Sequence, residues 1–207
     1  MKLSPLGLGL LTFTLGLAGC GGLIPAPQAD PTHYYILTGP APAASDAPAA
    51  GRLRLGLRSV ELAAYLKSPD IIVRQGTNEL LLQDYARWGE SLDAGIGRLL
   101  RERLRAAPAV ARVYPQPFPL DADRDYDVAV TILRCEGGLA DGRRAAQFAA
   151  TIEIATVGPD ARVVARRTFV APAAAWDGRD FAQLAALLSA DVDALGREVV
   201  AALPPAP

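Results

Sequence analysis

Cys20 is the residue whose neighbours most clearly prescribe a reaction. It stands directly after Leu17-Ala18-Gly19, behind a short basic start at Lys2 and an apolar run from Leu6 to Leu17. The run is too short to span a bilayer as a helix, and small residues follow it, which is the pattern of a secretory leader. A cysteine immediately after Leu-Ala-Gly makes the pattern a lipobox. The thiol takes a diacylglycerol through a thioether, cleavage frees the amine of Cys20, and that amine can then be acylated. One acyl chain holds a protein marginally, whereas two or three make a stable anchor.

The rest of the chain is poor in reactive groupings. His33 is the single histidine, so neither a Ser-His-Asp triad nor a His-rich metal site can be built. No G-x-S-x-G, phosphate-binding glycine loop or C-x-x-C occurs. Asp121, Asp123, Asp125 and Asp127 imitate the start of a calcium loop, but Tyr126 takes the required glycine position and Ile132 the required glutamate position. A polar loop entering a strand is the better reading. Cys135 falls among Leu133, Thr131 and Ala129 and is expected to be a buried, inert thiol. It cannot pair with Cys20 if lipid consumes that thiol. No catalytic residue, cofactor or metal is expected.

Composition narrows the partners. Hydrophobic residues make up 51% of the 207 and charged residues 21%, enough apolar material for a proper core. The formal net charge is -1 and the basic residues are scattered, so no nucleic-acid partner is indicated. Residues 1–19 are expected to be a signal peptide, 20–32 the lipidated cysteine and a flexible tether, 33–203 a single domain and 204–207 a disordered tail. The Gly/Pro/Ala stretch of the tether, residues 21–31, reaches at most roughly 35 Å.

Hydrophobic periodicity supplies the elements. Tyr34-Tyr35-Ile36-Leu37 is a β-prone run, and residues 39–51 form a low-complexity loop. Leu53, Leu55 and Leu57 alternate with Arg52, Arg54 and Arg58 as in a half-buried strand. The alternation slips near Ser59, where Val60 and Leu62 take up the apolar role, which predicts a bulge or bend. Residues 91–107 carry Leu92, Ile96, Leu99, Leu100 and Leu104 at helical spacing, with Pro108 ending the helix. Three strands follow, at 127–136, 147–157 and 162–170, as an antiparallel meander. A last helix runs from an Asp180 cap to Leu203, with one stripe from Phe181 through Leu188 and Leu195 to Val199. Trp88 and Trp176 each precede a helix, where an aromatic closes a core. The sum is an α+β fold: a mostly antiparallel sheet with two amphipathic helices packed on one face.

One hairpin stands apart. Ile71, Ile72 and Val73 precede a turn at Gly76-Thr77-Asn78, and Leu80, Leu81 and Leu82 follow it. A hairpin of a small domain normally shows polar residues on its outer face, and this one shows none. The six aliphatics are either core or the lining of a subunit interface or ring lumen.

The order Val60-x-Leu62-x-x-Tyr65-Leu66, Ile72-Val73-Arg74, Asn78-Glu79-Leu80, then Arg87-Trp88-x-Glu90-x-Leu92 resembles the ABC-type transport auxiliary lipoproteins, the PqiC/YmbA-like family. The likeness continues through Arg134-x-Glu136 and the Asp180-to-Leu203 helix. Ser91 stands where the family often has proline, and Cys135 where it usually has an aromatic. The resemblance implies a non-enzymatic accessory of an intermembrane lipid-transport machine. Its partners would be an MCE-domain protein and an inner-membrane transport component, and the lipoprotein would sit at the outer membrane, facing the periplasm, as a homo-oligomer. Gly21, where an Asp commonly retains lipoproteins at the inner membrane, points to the same placement. A structural lipoprotein assisting assembly of another outer-membrane biogenesis complex is the alternative.

Overall fold

The alternating and striped runs become strands and helices where the periodicity places them. The structure, a computed structural model, describes residues 29–40 and 51–205; the leader, Cys20, the tether up to residue 28 and most of the low-complexity loop lie outside the described residues. The chain divides into two units, Met1–Pro31 and Thr32–Pro207, and the sheet and both helices belong to the second. In chain order these are β1 (His33–Tyr35), β2 (Leu53–Leu57), β3 (Glu61–Leu62), a 3-10 turn (Ala64–Lys67), β4 (Asp70–Gln75), β5 (Glu79–Trp88), α1 (Leu92–Arg105), β6 (Val110–Pro115), β7 (Tyr126–Ala140), β8 (Arg143–Thr156), β9 (Val163–Val170), β10 (Ala174–Ala175) and α2 (Phe181–Ala202).

The strands of the described residues form one mixed sheet. Antiparallel pairing holds the long ladders: β7 with β8, β8 with β9, and β4 with β5. This is the expected α+β arrangement, with the meander as its backbone. The other edge of β7 is a relay of parallel strands. β2 pairs with it at Tyr126–Val128, β3 at Thr131–Ile132, and β4 at Gly137. The slip near Ser59 is the gap between the first two of these. Rather than bending one strand, the chain ends β2 and resumes as β3 further along the same partner.

The first meander hairpin is longer than the hydrophobic runs suggest. β7 and β8 continue to a two-residue turn at Asp141-Gly142, with Ala140 opposite Arg143. Both turn residues have positive φ, 49° and 74°, which an Asp-Gly pair supplies at little cost and which matches the twist of the strands. A register shift between Ile132 and Arg134 leaves Leu133 as an extra residue. Val128, Val130, Ile132 and Cys135 are therefore all buried, while Leu133 is exposed.

Both helices pack together and against one side of the sheet. α1 buries Leu92, Ile96, Leu99, Leu100 and Leu104; α2 buries Leu184, Leu188, Val192, Leu195 and Val199. The Asp180 carboxylate accepts from the backbone N–H groups of Ala182 and Gln183, an N-cap worth about 1 kcal/mol. Gly196 allows the helices to cross closely, since a Cβ there would stand 2.8 Å from Arg103 Cγ. Gly137 does the same on β7, where a Cβ would lie 2.6 Å from the ring of Trp176. Trp176 and Trp88 are both buried, and the Trp176 indole N–H donates to the Asp180 carbonyl at 2.7 Å.

Candidate interaction surface

The hairpin of β4 and β5 divides along its length. Ile71, Ile72 and Val73 are buried within the domain, and Leu80 is half-buried. Leu81 and Leu82 are 39% and 51% exposed. Val73, Leu81 and Gly137 occupy one row of the sheet, so Val73 and Leu81 face the side on which Gly137 meets Trp176. Ile72 and Leu82 face the other side. The β4 strand, between β5 and β7, is covered on both faces; β5 lies nearer the edge and is not.

Under the hairpin sits the one charged group of β7 that water does not reach. Glu136 is fully buried, and the Arg74 guanidinium meets it, Nε to Oε1 at 2.5 Å and Nη2 to Oε2 at 3.5 Å. A third donation from Arg74 Nη1 holds the Thr77 carbonyl at the tip of the hairpin. The Tyr65 ring lies 5.4 Å from the guanidinium, and its hydroxyl donates to the Leu133 carbonyl at the bulge. Burial, with the nearby Glu136 carboxylate, pushes the Tyr65 hydroxyl up to about 12, and Glu136 holds Arg74 even more firmly charged than usual. The three residues that resemble a family motif in sequence, Tyr65, Arg74 and Glu136, are thus one contact in space. Its chemistry is that of a clamp: a satisfied ion pair under an aromatic lid.

Several other charged residues are also engaged structurally. Arg54 pairs with Asp123 and, at 2.8 Å, with Asp125, whose carboxyl is lowered by that guanidinium. Arg124 pairs with Asp127 at 2.9 Å and lies over the Phe118 ring. The carboxylate run therefore pins its own loop to β2. Among the described residues no group of His, Cys, Asp and Glu is placed to hold a metal. Cys135 is buried and its thiol is pushed well up by burial, which makes it a poor nucleophile.

Among the described residues, clefts open on the surface beside α1. One, of about 570 Å³, lies between residues 36–40 and α1, where Arg98 spans Glu90 and the Leu37 carbonyl. A second, of about 650 Å³, lies between the 3-10 turn and the start of α1, lined by Leu62, Leu66, Lys67, Ser91 and Asp93 among others. At the second, the Ser68 hydroxyl donates to Asp70 Oδ2 at 2.8 Å, tying the end of the 3-10 turn to the start of β4.

The comparisons decide the family. The family model described as "ABC-type transport auxiliary lipoprotein component" matches residues 35–200. The chain belongs to that family. The auxiliary lipoprotein family is a component of a transport system and not an enzyme family. A crystal structure of protein XCC0632 from Xanthomonas campestris, of the DUF330 family model, is 23% identical with a TM-score of 0.68, covering 82% of this chain and 93% of that one. A second crystal structure, of an uncharacterized protein, is 15% identical with a TM-score of 0.63, covering 82% and 97%. Both share the fold seen here. No curated protein matches the chain. Tyr85 and Leu139, both exposed, lie outside the runs that hydrophobic periodicity marks. The Asp141-Gly142 pair was the signal that would have extended β7 to include Leu139.

Proposed function

We propose that this auxiliary lipoprotein is an outer-membrane-anchored docking component of an MCE/ABC-type, Pqi-like intermembrane lipid-transport system. Cys20 carries the diacylglycerol and acyl chains, the domain faces the periplasm, and it assembles with further copies of itself. Its partners are an MCE-domain protein and, through it, an inner-membrane transport component. The observation that carries this reading is the family match over residues 35–200. The lipobox at Leu17-Ala18-Gly19-Cys20 agrees with it. The chemistry asks nothing catalytic of the domain: it must stay on the membrane, hold its shape and present a surface.

Two measurements test the reading. Cys20→Ser should lose incorporation of labelled palmitate and leave the outer-membrane fraction. The wild-type protein, purified from detergent-solubilised envelopes, should bring an MCE-domain protein with it. A Cys20→Ser variant that fractionates as before, or a wild-type protein that never co-purifies with an MCE-domain protein, would contradict the anchor or the partner respectively.

A further inference from the structure

The relay along β7 fixes which end of the sheet is which. β4 runs parallel to β7, so the β4–β5 tip at Gly76-Thr77-Asn78 and the β7–β8 tip at Asp141-Gly142 lie at the same end. That end carries exposed aliphatics on both hairpins: Leu81 and Leu82 on β5, and Leu139, 47% exposed, on β7. Arg144 stands opposite Leu139 and Arg143 opposite Ala140. Both arginines are exposed, and neither has a carboxylate partner among the described residues. β1 pairs parallel with β5, His33 opposite Ala86, so the chain enters β1 from the side of the sheet where β5 begins. Tyr85, 59% exposed, lies next along β5 toward the tips.

From this we infer that the two hairpin tips are the domain's membrane-facing end, with Leu81, Leu82 and Leu139 seated among lipid headgroups and Arg143 and Arg144 on their phosphates. The inference rests on the reading of Cys20 as lipid-anchored. The reach is sufficient. From Cys20 to His33 the chain spans at most roughly 45 Å when extended, and from the His33 row to the tips is roughly 25 Å along β5. A lipid surface is thus held permanently within range of an apolar end that the domain itself leaves uncovered, at high effective concentration. Arginines beside leucines suit a headgroup layer, where the stem of each side chain lies on apolar surface and its head stays wet. Glu79 and Asp141 stand at the same tips, so burial of the leucines, rather than attraction to anionic lipid, supplies the contact.

The test uses the full lipidated chain, labelled with a polarity-sensitive fluorophore at Leu82→Cys, Leu139→Cys or Val163→Cys. Cys20 carries lipid and Cys135 is buried, so neither competes for the label. Val163 is equally exposed but pairs with Ala155, which stands opposite Asp127 at the far end of β7. The proteins are reconstituted in phosphatidylcholine vesicles, with and without phosphatidylglycerol, containing lipids that carry quenchers near the headgroup. Labels at Leu82 and Leu139 should be quenched several-fold more than the label at Val163, in both vesicle types. Equal quenching at all three sites overturns the inference, as does protection of the tip labels by self-association in detergent without lipid. Flotation reports the anchor separately: if Cys20→Ser floats as the lipidated chain does, the anchor reading falls while tip quenching still stands or fails by itself. If the lipidated chain does not float, both fall.

Discussion

Arg74 Nε stands 2.5 Å from the Oε1 of a fully buried Glu136, joining β4 to β7 next to the single row, Val73 with Gly137, at which those strands pair. A ladder of one row is a weak join. The ion pair, the Tyr65 ring and the Thr77 carbonyl bound by the same guanidinium replace the missing rungs. Burying such a pair gains little over well-packed apolar residues, but breaking it leaves a charge without water or partner.

Arg74→Met should therefore destabilise the domain by about 3–5 kcal/mol. The double variant Arg74→Met with Glu136→Leu should recover most of that loss. Urea unfolding of the two variants beside wild type measures both. If the double variant were as unstable as the single one, the pair would be worth more than its removal of a stranded charge.

Asp191 supplies a pH dependence with a definite sign. It is buried on α2, its Oδ2 finds no hydrogen-bond partner, and burial raises its carboxyl to about 6. In the unfolded chain an aspartate titrates near ~4, so between the two values the folded state holds the proton more tightly. The stability this contributes is fully present below the unfolded value and is lost as pH rises through about 6. Asp191→Asn should flatten that slope and raise stability above neutral pH by on the order of 2 kcal/mol. Denaturant midpoints of both proteins from pH 4 to 8 check it; parallel curves would mean that Asp191 does not titrate in this window.

The two halves of the hairpin should answer the same substitution differently. Ile72→Asn places an amide where only 3% of the residue is exposed and should cost about 3 kcal/mol or more. Leu82→Asn, directly across the ladder, puts its amide in water and should change stability by less than about 1 kcal/mol. Thermal melts followed by circular dichroism separate them.

Much of this architecture is legible in one dimension, and what is not has physical causes. The stripes of Leu92–Leu104 and Leu184–Val199 repeat at helical spacing, and Asp180 caps the second where its acceptor is needed. The meander alternates as strands with one dry face do. Parallel pairing leaves no such trace, because the partner is reached through a long excursion and no turn residues announce it, so the relay of β2, β3 and β4 is invisible to periodicity. Two aliphatic triplets look alike in sequence; only the position of β4 between neighbours, and of β5 toward the edge, makes one buried and leaves the other half wet. Tyr65, Arg74 and Glu136 could be read as a motif, but their meeting under the hairpin needs the fold to bring 62 residues' separation to a hydrogen bond.

The relay also sets a timetable for the chain. β2, β3 and β4 are made, and delivered, roughly 65 to 70 residues ahead of the strand they pair with. β2 finds β6 first, but β3 and the inner edge of β4 have no partner until β7 is free, and the β4–β5 hairpin, with its dense aliphatics, stands with that edge unpaired. A nascent chain stalled short of β7 would thus hold two separate strand pairs, β2 with β6 and β4 with β5, and no strand to join them. A late-arriving spine thus keeps the two halves of the sheet apart until residue 137 has been made.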